Sequence, residues 1–195
     1  MSLLSHNQLV DRVVEGMVLR KPASDLAGAK EVRIDYESVN SASIDITLGK
    51  FVLAEYYDGE GVKVLDYRAR EKMTVNRIEL DPEEGFVLLP GMFILAESEE
   101  VFHLPDDLSC EYKLKSSMAR IGLEHLNAGW CDAGWNGSVL TLEIKNLCNF
   151  HAIRLRPGDK IGQMVFFSHE KVPADRSYAA RGRYNNDKTV STIKE

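Results

Sequence analysis

The chain has 195 residues, 44% of them hydrophobic and 28% charged, which is enough for a single domain with a real core. Its formal net charge of -6 argues against a protein that coats nucleic acid, since such proteins owe most of their affinity to neutralising backbone phosphates. A small anionic ligand stays open wherever basic groups cluster. The three cysteines, Cys110, Cys131 and Cys148, are odd in number and spaced unlike a disulfide or zinc framework, which fits a reduced, cytoplasmic setting. Met1–Val18 carries no basic leader, and no eighteen apolar residues run together, so neither secretion nor a membrane span is expected.

Ser5 followed by Gln8 reads as a capping box, and Leu9, Val10, Val13, Val14 and Met17 recur at helical spacing, predicting one amphipathic helix from Ser5 to about Val18. Short β-type runs follow at Ala42–Leu48, Phe51–Tyr57, Val62–Tyr67, Gly85–Leu89, Met92–Glu97, Ser138–Asn146 and Lys160–Phe167. Their breakers include Asp58-Gly59, Glu84-Gly85, Pro90-Gly91, Asn136-Gly137 and Pro157-Gly158. Many short strands with few helices predict an all-β sandwich or barrel. From Lys171 onward the chain is polar, with six basic against three acidic side chains and no periodic apolar face. That tail is either a disordered end or, through Tyr178, Tyr184 and its arginines, an arm that orders over a polyanion.

Two segments carry candidate chemistry. In Lys115-Ser116-Ser117-Met118-Ala119-Arg120, two hydroxyls precede a short helical run with cations at both ends. Such an arrangement suits a phosphate, although a serine pair before a helix also serves simply as a cap. Downstream, the glycine-rich, aromatic loop Asn127–Gly137 holds Asp132 and runs into the strand Ser138–Asn146. Alternation there puts Glu143 on one face with Thr141 and Lys145, and Leu142 and Ile144 on the other. Glu143 is then either a solvent-facing glutamate or a functional carboxylate. The metal-binding pattern of zinc deaminases, H-x-E followed by P-C-x-x-C, is absent: the cysteines lie too far apart, and His125 lacks the following glutamate.

Together, Lys115–Arg120, Ala128–Trp135 and Thr141–Asn146 resemble the three central motifs of dCTP deaminases, and the chain is identified as a member of that dUTPase-like group. The similarity extends to Ser43–Gly49, Leu89–Ala96, Leu104–Leu108 and Arg156–Gln163, and so covers roughly residues 40 to 185. It implies a dUTPase-like β-barrel or jelly roll (β-clip) with a short N-terminal helix, spanning residues 1–195 as one domain with 171–195 as a C-terminal arm. It also implies a homotrimer with sites at subunit interfaces, each built from more than one chain.

By the same resemblance Glu143 is the catalytic acid and base. Ser116 and the backbone of Ala128 hold the attacking water, while Arg120 falls at a triphosphate position; the negative tetrahedral centre also needs a donor, which Arg120 or Ser116 could supply. Lys115, Ser117, Asp132, Trp135, Gln163, Arg183, Tyr184 and Lys188 fall at substrate-binding positions, Asp132 by the deoxyribose and Trp135 by the sugar and base. The implied reaction is zinc-independent hydrolytic deamination of dCTP to dUTP, with Mg²⁺ entering on the triphosphate and dTTP a possible feedback inhibitor; neither nucleic acid nor a membrane is a partner. The sequence departs from the pattern in two ways. The glutamine expected in the arm falls on Asn186 or Asp187, and an aspartate beside a triphosphate would repel it unless Lys188 compensates. The loop Ala128–Trp135 is closer to bifunctional members, which carry dCTP through to dUMP and pyrophosphate. Two other readings are a dUTP diphosphatase alone and a regulatory, non-catalytic nucleotide-binding trimer.

Overall fold

A computed structural model describes residues 1–22 and 29–194. In chain order these form β1 (Ser2–Leu3), α1 (His6–Val14), β2 (Val18–Arg20), β3 (Val32–Arg33), β4 (Ile44–Glu55), β5 (Val75–Glu79), β6 (Phe86–Leu88), β7 (Phe93–His103) and β8 (Leu108–Leu114). There follow α2 (Ser116–Arg120), β9 (Leu123–His125), β10 (Trp130–Cys131), β11 (Asn136–Asn146), β12 (Ile153–Leu155), β13 (Lys160–Ser168) and α3 (Tyr178–Arg181). The main sheet is antiparallel and runs β10-β8-β13-β4-β7-β11-β9, with β5 on β4, β2 on β7 and β1 on β13; β6 and β12 pair separately. The fold is thus mostly β with a short N-terminal helix, as expected.

Helix α1 forms because Gln8 accepts the Ser5 amide at 2.9 Å and because Leu9 and Val13 are buried on one stripe. It is shorter than the apolar spacing suggests. Gly16 adopts a φ of 87°, closing the helix before Met17 turns into the core.

Two expected strands, Ala42–Leu48 and Phe51–Tyr57, are in fact one. Strand β4 pairs with β13 through its first half and with β5 and β7 through its second, and its register against β7 shifts between Leu48 and Val52. Gly49 makes the crossing possible: a Cβ there would lie 2.8 Å from Glu97 Cγ and 3.0 Å from the Glu97 carbonyl oxygen. The expected strand Val62–Tyr67 does not form. Glu55 of β4 pairs directly with Val75 of β5, so the intervening residues are an excursion outside the sheet, and Val62, Val64, Leu65 and Tyr67 are exposed with no strand to pair.

The core is continuous from α1 across the sheet, with Phe102, Phe166, Leu142 and Ile144 fully buried. Tyr112 of β8 joins this core to the region of Glu143. Its ring lies against Gly162 of β13 on one side and tilts onto the His125 ring on the other, with centroids 4.5 Å apart. A Cβ on residue 162 would lie 2.1 Å from Tyr112 Cε2. Because Tyr112 is buried, the ring has little room to yield. Gly162→Ala should therefore lower stability by about 1–3 kcal/mol, measured as a shift in the denaturant midpoint; an unchanged midpoint would mean that the ring moves freely.

Candidate active site

Strand β11 lies between β7 and β9, and its register pairs Thr141 with Glu97, Glu143 with Leu95 and Ile144 with His125. Leu142 and Ile144 are fully buried, whereas Thr141 and Glu143 face a cavity of about 430 Å³. That volume lies within the range of small-molecule sites.

The cavity wall is built by a chain reversal. After β9 the Leu126 amide bonds to the Glu143 carbonyl at 3.2 Å, and Asn127 takes a left-handed φ of 58°. Ala128 is thereby carried to the cavity rim, and the Gly129 carbonyl returns to the sheet, accepting the Tyr112 amide at 2.8 Å. Asp132 follows β10 at the same rim, its carboxylate accepting from Trp130 Nε1 at 2.9 Å. Gly134, at φ 84°, completes the turn that delivers Trp135. Trp135 is buried, stacks on Phe102 with centroids 5.1 Å apart and donates Nε1–H to the Tyr184 carbonyl at 2.9 Å.

The arm closes the other side. Tyr184, Asp187 and Ser191, Thr192 and Ile193 all border the cavity. The arm is tied to its own β11: the Val139 amide donates to the Asp187 carbonyl at 2.8 Å, and Ser138 Oγ donates to the Tyr184 carbonyl at 2.7 Å. Asp187, the residue at odds with a triphosphate, forms an ion pair with Lys194.

Five of the expected site residues thus meet at one cavity: Ala128, Asp132, Trp135, Glu143 and Tyr184. The others do not border it. The N-cap of α2 is Lys115, and no side-chain cap bond forms there. Among the described residues, Ser116, Ser117 and Arg120 make no side-chain hydrogen bond or ion pair, so the capping alternative gains no support. Lys115 and Lys160 both reach Asp45, at 2.7 and 3.0 Å, and Gln163 accepts from Ser43 Oγ at 3.1 Å. Arg183 is exposed, and Lys188 pairs with Glu31 at 3.0 Å. The cavity lining therefore holds three carboxylates, Asp132, Glu143 and Asp187, and among the described residues no lysine or arginine.

One site residue was missed. His125 is buried, and its Nε2 lies 3.2 Å from Glu143 Oε2; neither atom has a hydrogen bond among the described residues. The imidazole edge thus faces the Glu143 carboxylate directly. No local pattern announces this, because the contact depends on β9 pairing with β11. No group of three or more His, Cys, Asp or Glu able to hold a metal lies together among the described residues, and no described helix is long and apolar enough to cross a membrane.

With this geometry in place, the comparisons with known proteins identify the family. The profile of the dCTP deaminase-like family matches residues 19–169, and the chain belongs to that family. It is 37% identical over 147 residues to a "dCTP deaminase, dUMP-forming" of Beutenbergia cavernae, covering 75% of this chain and 74% of that protein. It is 34% identical over 185 residues to a protein of the same name from Methanospirillum hungatei, covering 94% and 91%. Among solved structures, the 2'-deoxycytidine 5'-triphosphate deaminase of Agrobacterium tumefaciens aligns at a TM-score of 0.61 and 25% identity, covering 86% of this chain and 48% of that one, so this chain spans about half of its length.

Asp45 ties Lys115 into place just before the two serines. Burial by itself would raise its carboxyl pKa, but hydrogen bonds from Lys115, Lys160 and Asn40 outweigh burial and hold it below the ordinary value of 3.8. A carboxyl depressed on folding stabilises above its unfolded pKa and loses that contribution as pH falls through the folded value. Asp45→Asn should accordingly destabilise the protein at pH 7, and the gap from the unmodified chain should close below about pH 3.8; denaturant titrations across that range would check it, and a gap independent of pH would contradict it.

Proposed function

We propose that this protein converts dCTP to dUMP, pyrophosphate and ammonia, with deamination and diphosphate release occurring at one site. This replaces the expectation of a deaminase that stops at dUTP. The observation that carries the reading is the convergence of Glu143, Asp132, Trp135 and the Ala128 backbone on one cavity. The names of the relatives, dUMP-forming in both bacterial and archaeal sources, support the second half of the reaction.

In the first step water adds to C4 of cytosine. Glu143 takes a proton from that water and passes it to the ring nitrogen, then takes the proton of the new C4 hydroxyl and passes it to the departing amine, leaving a carbonyl at C4 and free ammonia. The Ala128 backbone positions the water, and His125 lies where it can hold the Glu143 carboxylate in orientation. In the second step a further water attacks the α-phosphorus, and pyrophosphate leaves. Asp132 orients the sugar and assists that water. Magnesium would enter with the triphosphate, and Asp132 and Asp187, carboxylates of the lining, are the residues that would help to hold it. When bound, it screens phosphate charge.

The same three carboxylates pose an electrostatic problem. A triphosphate cannot rest among them without cations, yet Lys115 and Arg120 lie elsewhere on the chain. We therefore infer a homotrimer in which the Lys115–Arg120 segment of one subunit completes the cavity of its neighbour. Two features support this: the side chains of Ser116, Ser117 and Arg120 are unengaged, and exposed apolar residues flank α2. Ile121 and Leu147 are about half exposed and Phe150 almost fully so, and the Leu147 amide bonds the Gly122 carbonyl at 2.8 Å, which gathers them at one place. A reducing, cytoplasmic setting suits the three free thiols.

Incubation with dCTP and Mg²⁺, with products resolved over time, should yield dUMP and pyrophosphate without dUTP accumulating. Accumulated dUTP would return the reading to deamination alone, and unreacted dCTP would overturn both. Glu143→Gln should reduce turnover by about 10²- to 10⁴-fold with nucleotide affinity nearly unchanged; appreciable residual deamination would remove Glu143 from its role.

A further inference from the structure

Glu97 belongs to none of the motifs described above, yet it is completely buried in β7, opposite Thr141 at the cavity wall. One carboxylate oxygen takes the Lys21 ammonium at 2.5 Å. The other accepts two hydrogen bonds from the arm, from the Val190 amide at 2.9 Å and from Thr189 Oγ1 at 2.7 Å. Val190 is itself buried, packed with Leu53 and with Leu95, the residue paired to Glu143. The next three residues, Ser191, Thr192 and Ile193, border the cavity. The missing Cβ of Gly49 leaves the space that the Glu97 side chain fills.

We propose that Glu97 is a positioning residue that latches the C-terminal arm over the cavity. An interior carboxylate is tolerated only while it is paired and hydrogen-bonded. Two of the donors to Glu97 belong to the arm, so lifting the arm strips the carboxylate of them and leaves it with Lys21. The arm is thus drawn down by the need of a buried charge, at a point immediately before the residues that wall the site. Lys21 holds the carboxylate in place whether the arm is up or down. The catalytic consequence rests on the nucleotide reading given above, whereas the latch itself does not.

The test uses the full-length protein and two variants. Glu97→Gln removes the charge, and Thr189→Val removes a donor from the arm without touching the core of the sheet. Hydrogen exchange of the amides in 188–194 should accelerate about tenfold in both variants, with exchange in β8 and β13 unchanged. With dCTP and Mg²⁺ the apparent KM should rise about tenfold while kcat changes less. Unchanged exchange in Thr189→Val, where folding is not at issue, would overturn the latch. Faster exchange with an unaltered KM would overturn its role in positioning the arm for substrate. Faster exchange in a protein whose unmodified form does not turn over dCTP would support the latch and reject the nucleotide reading instead.

Discussion

Along β11 every second side chain enters the core, and a one-residue slip against β7 would exchange Leu142 and Ile144 for Thr141 and Glu143. That slip would bury a carboxylate without a partner and expose two large aliphatic groups, so the register is strongly fixed. Much of the site depends on it. Glu143 is held at the cavity wall by the packing of its neighbours, His125 reaches it through the β9 pairing, and Asp187 and Tyr184 dock on the β11 residues Val139 and Ser138. The carboxylate proposed to react is thus placed by hydrophobic burial on the opposite face of its own strand, a rigid support for a group whose geometry has to be kept.

Charge is distributed unevenly around this frame. Carboxylates dominate the cavity, and the free cation and hydroxyls expected to hold phosphates lie on α2. The acids around the frame are managed separately: buried Glu97 by Lys21 and the arm, buried Glu100 by the amide and hydroxyl of Thr47 at 2.9 and 2.6 Å, and half-buried Asp187 by Lys194. Burial pushes the Glu100 carboxyl up, and the two Thr47 hydrogen bonds only partly offset it. Among the described residues the cavity lining lacks positive charge for a polyanion, and supplying it from a neighbour would make substrate binding and assembly interdependent.

The parts of this arrangement that were legible in the sequence are those governed by local periodicity. The alternation through Thr141–Lys145 placed Glu143 on its face correctly, and the capping box announced α1. Gly49 ended a predicted strand because a glycine reads as a break; in three dimensions it lets one strand cross closely over Glu97 and continue. Val62–Tyr67 has the residues of a strand but no edge to join, which only the direct β4–β5 pairing reveals. Strand β8 alternates, with Leu108, Cys110 and Tyr112 buried, and was overlooked beside the Pro105-Asp106-Asp107 turn. Glu97 and His125 were illegible for another reason. Their partners are brought together by strand pairing and by an arm 93 residues away, and no spacing rule spans such distances.

Mixing two inactive variants tests the account most directly. Glu143→Gln spoils the cavity of its own chain, and Arg120→Ala spoils the segment inferred to complete a neighbour's cavity. If the site is shared, an equal mixture reassembled into trimers should recover about a quarter of the unmodified activity, because about one interface in four would combine two intact halves. If both residues serve the same chain's site, every cavity in the mixture carries one defect, activity stays at the level of the separate variants, and the shared site is contradicted.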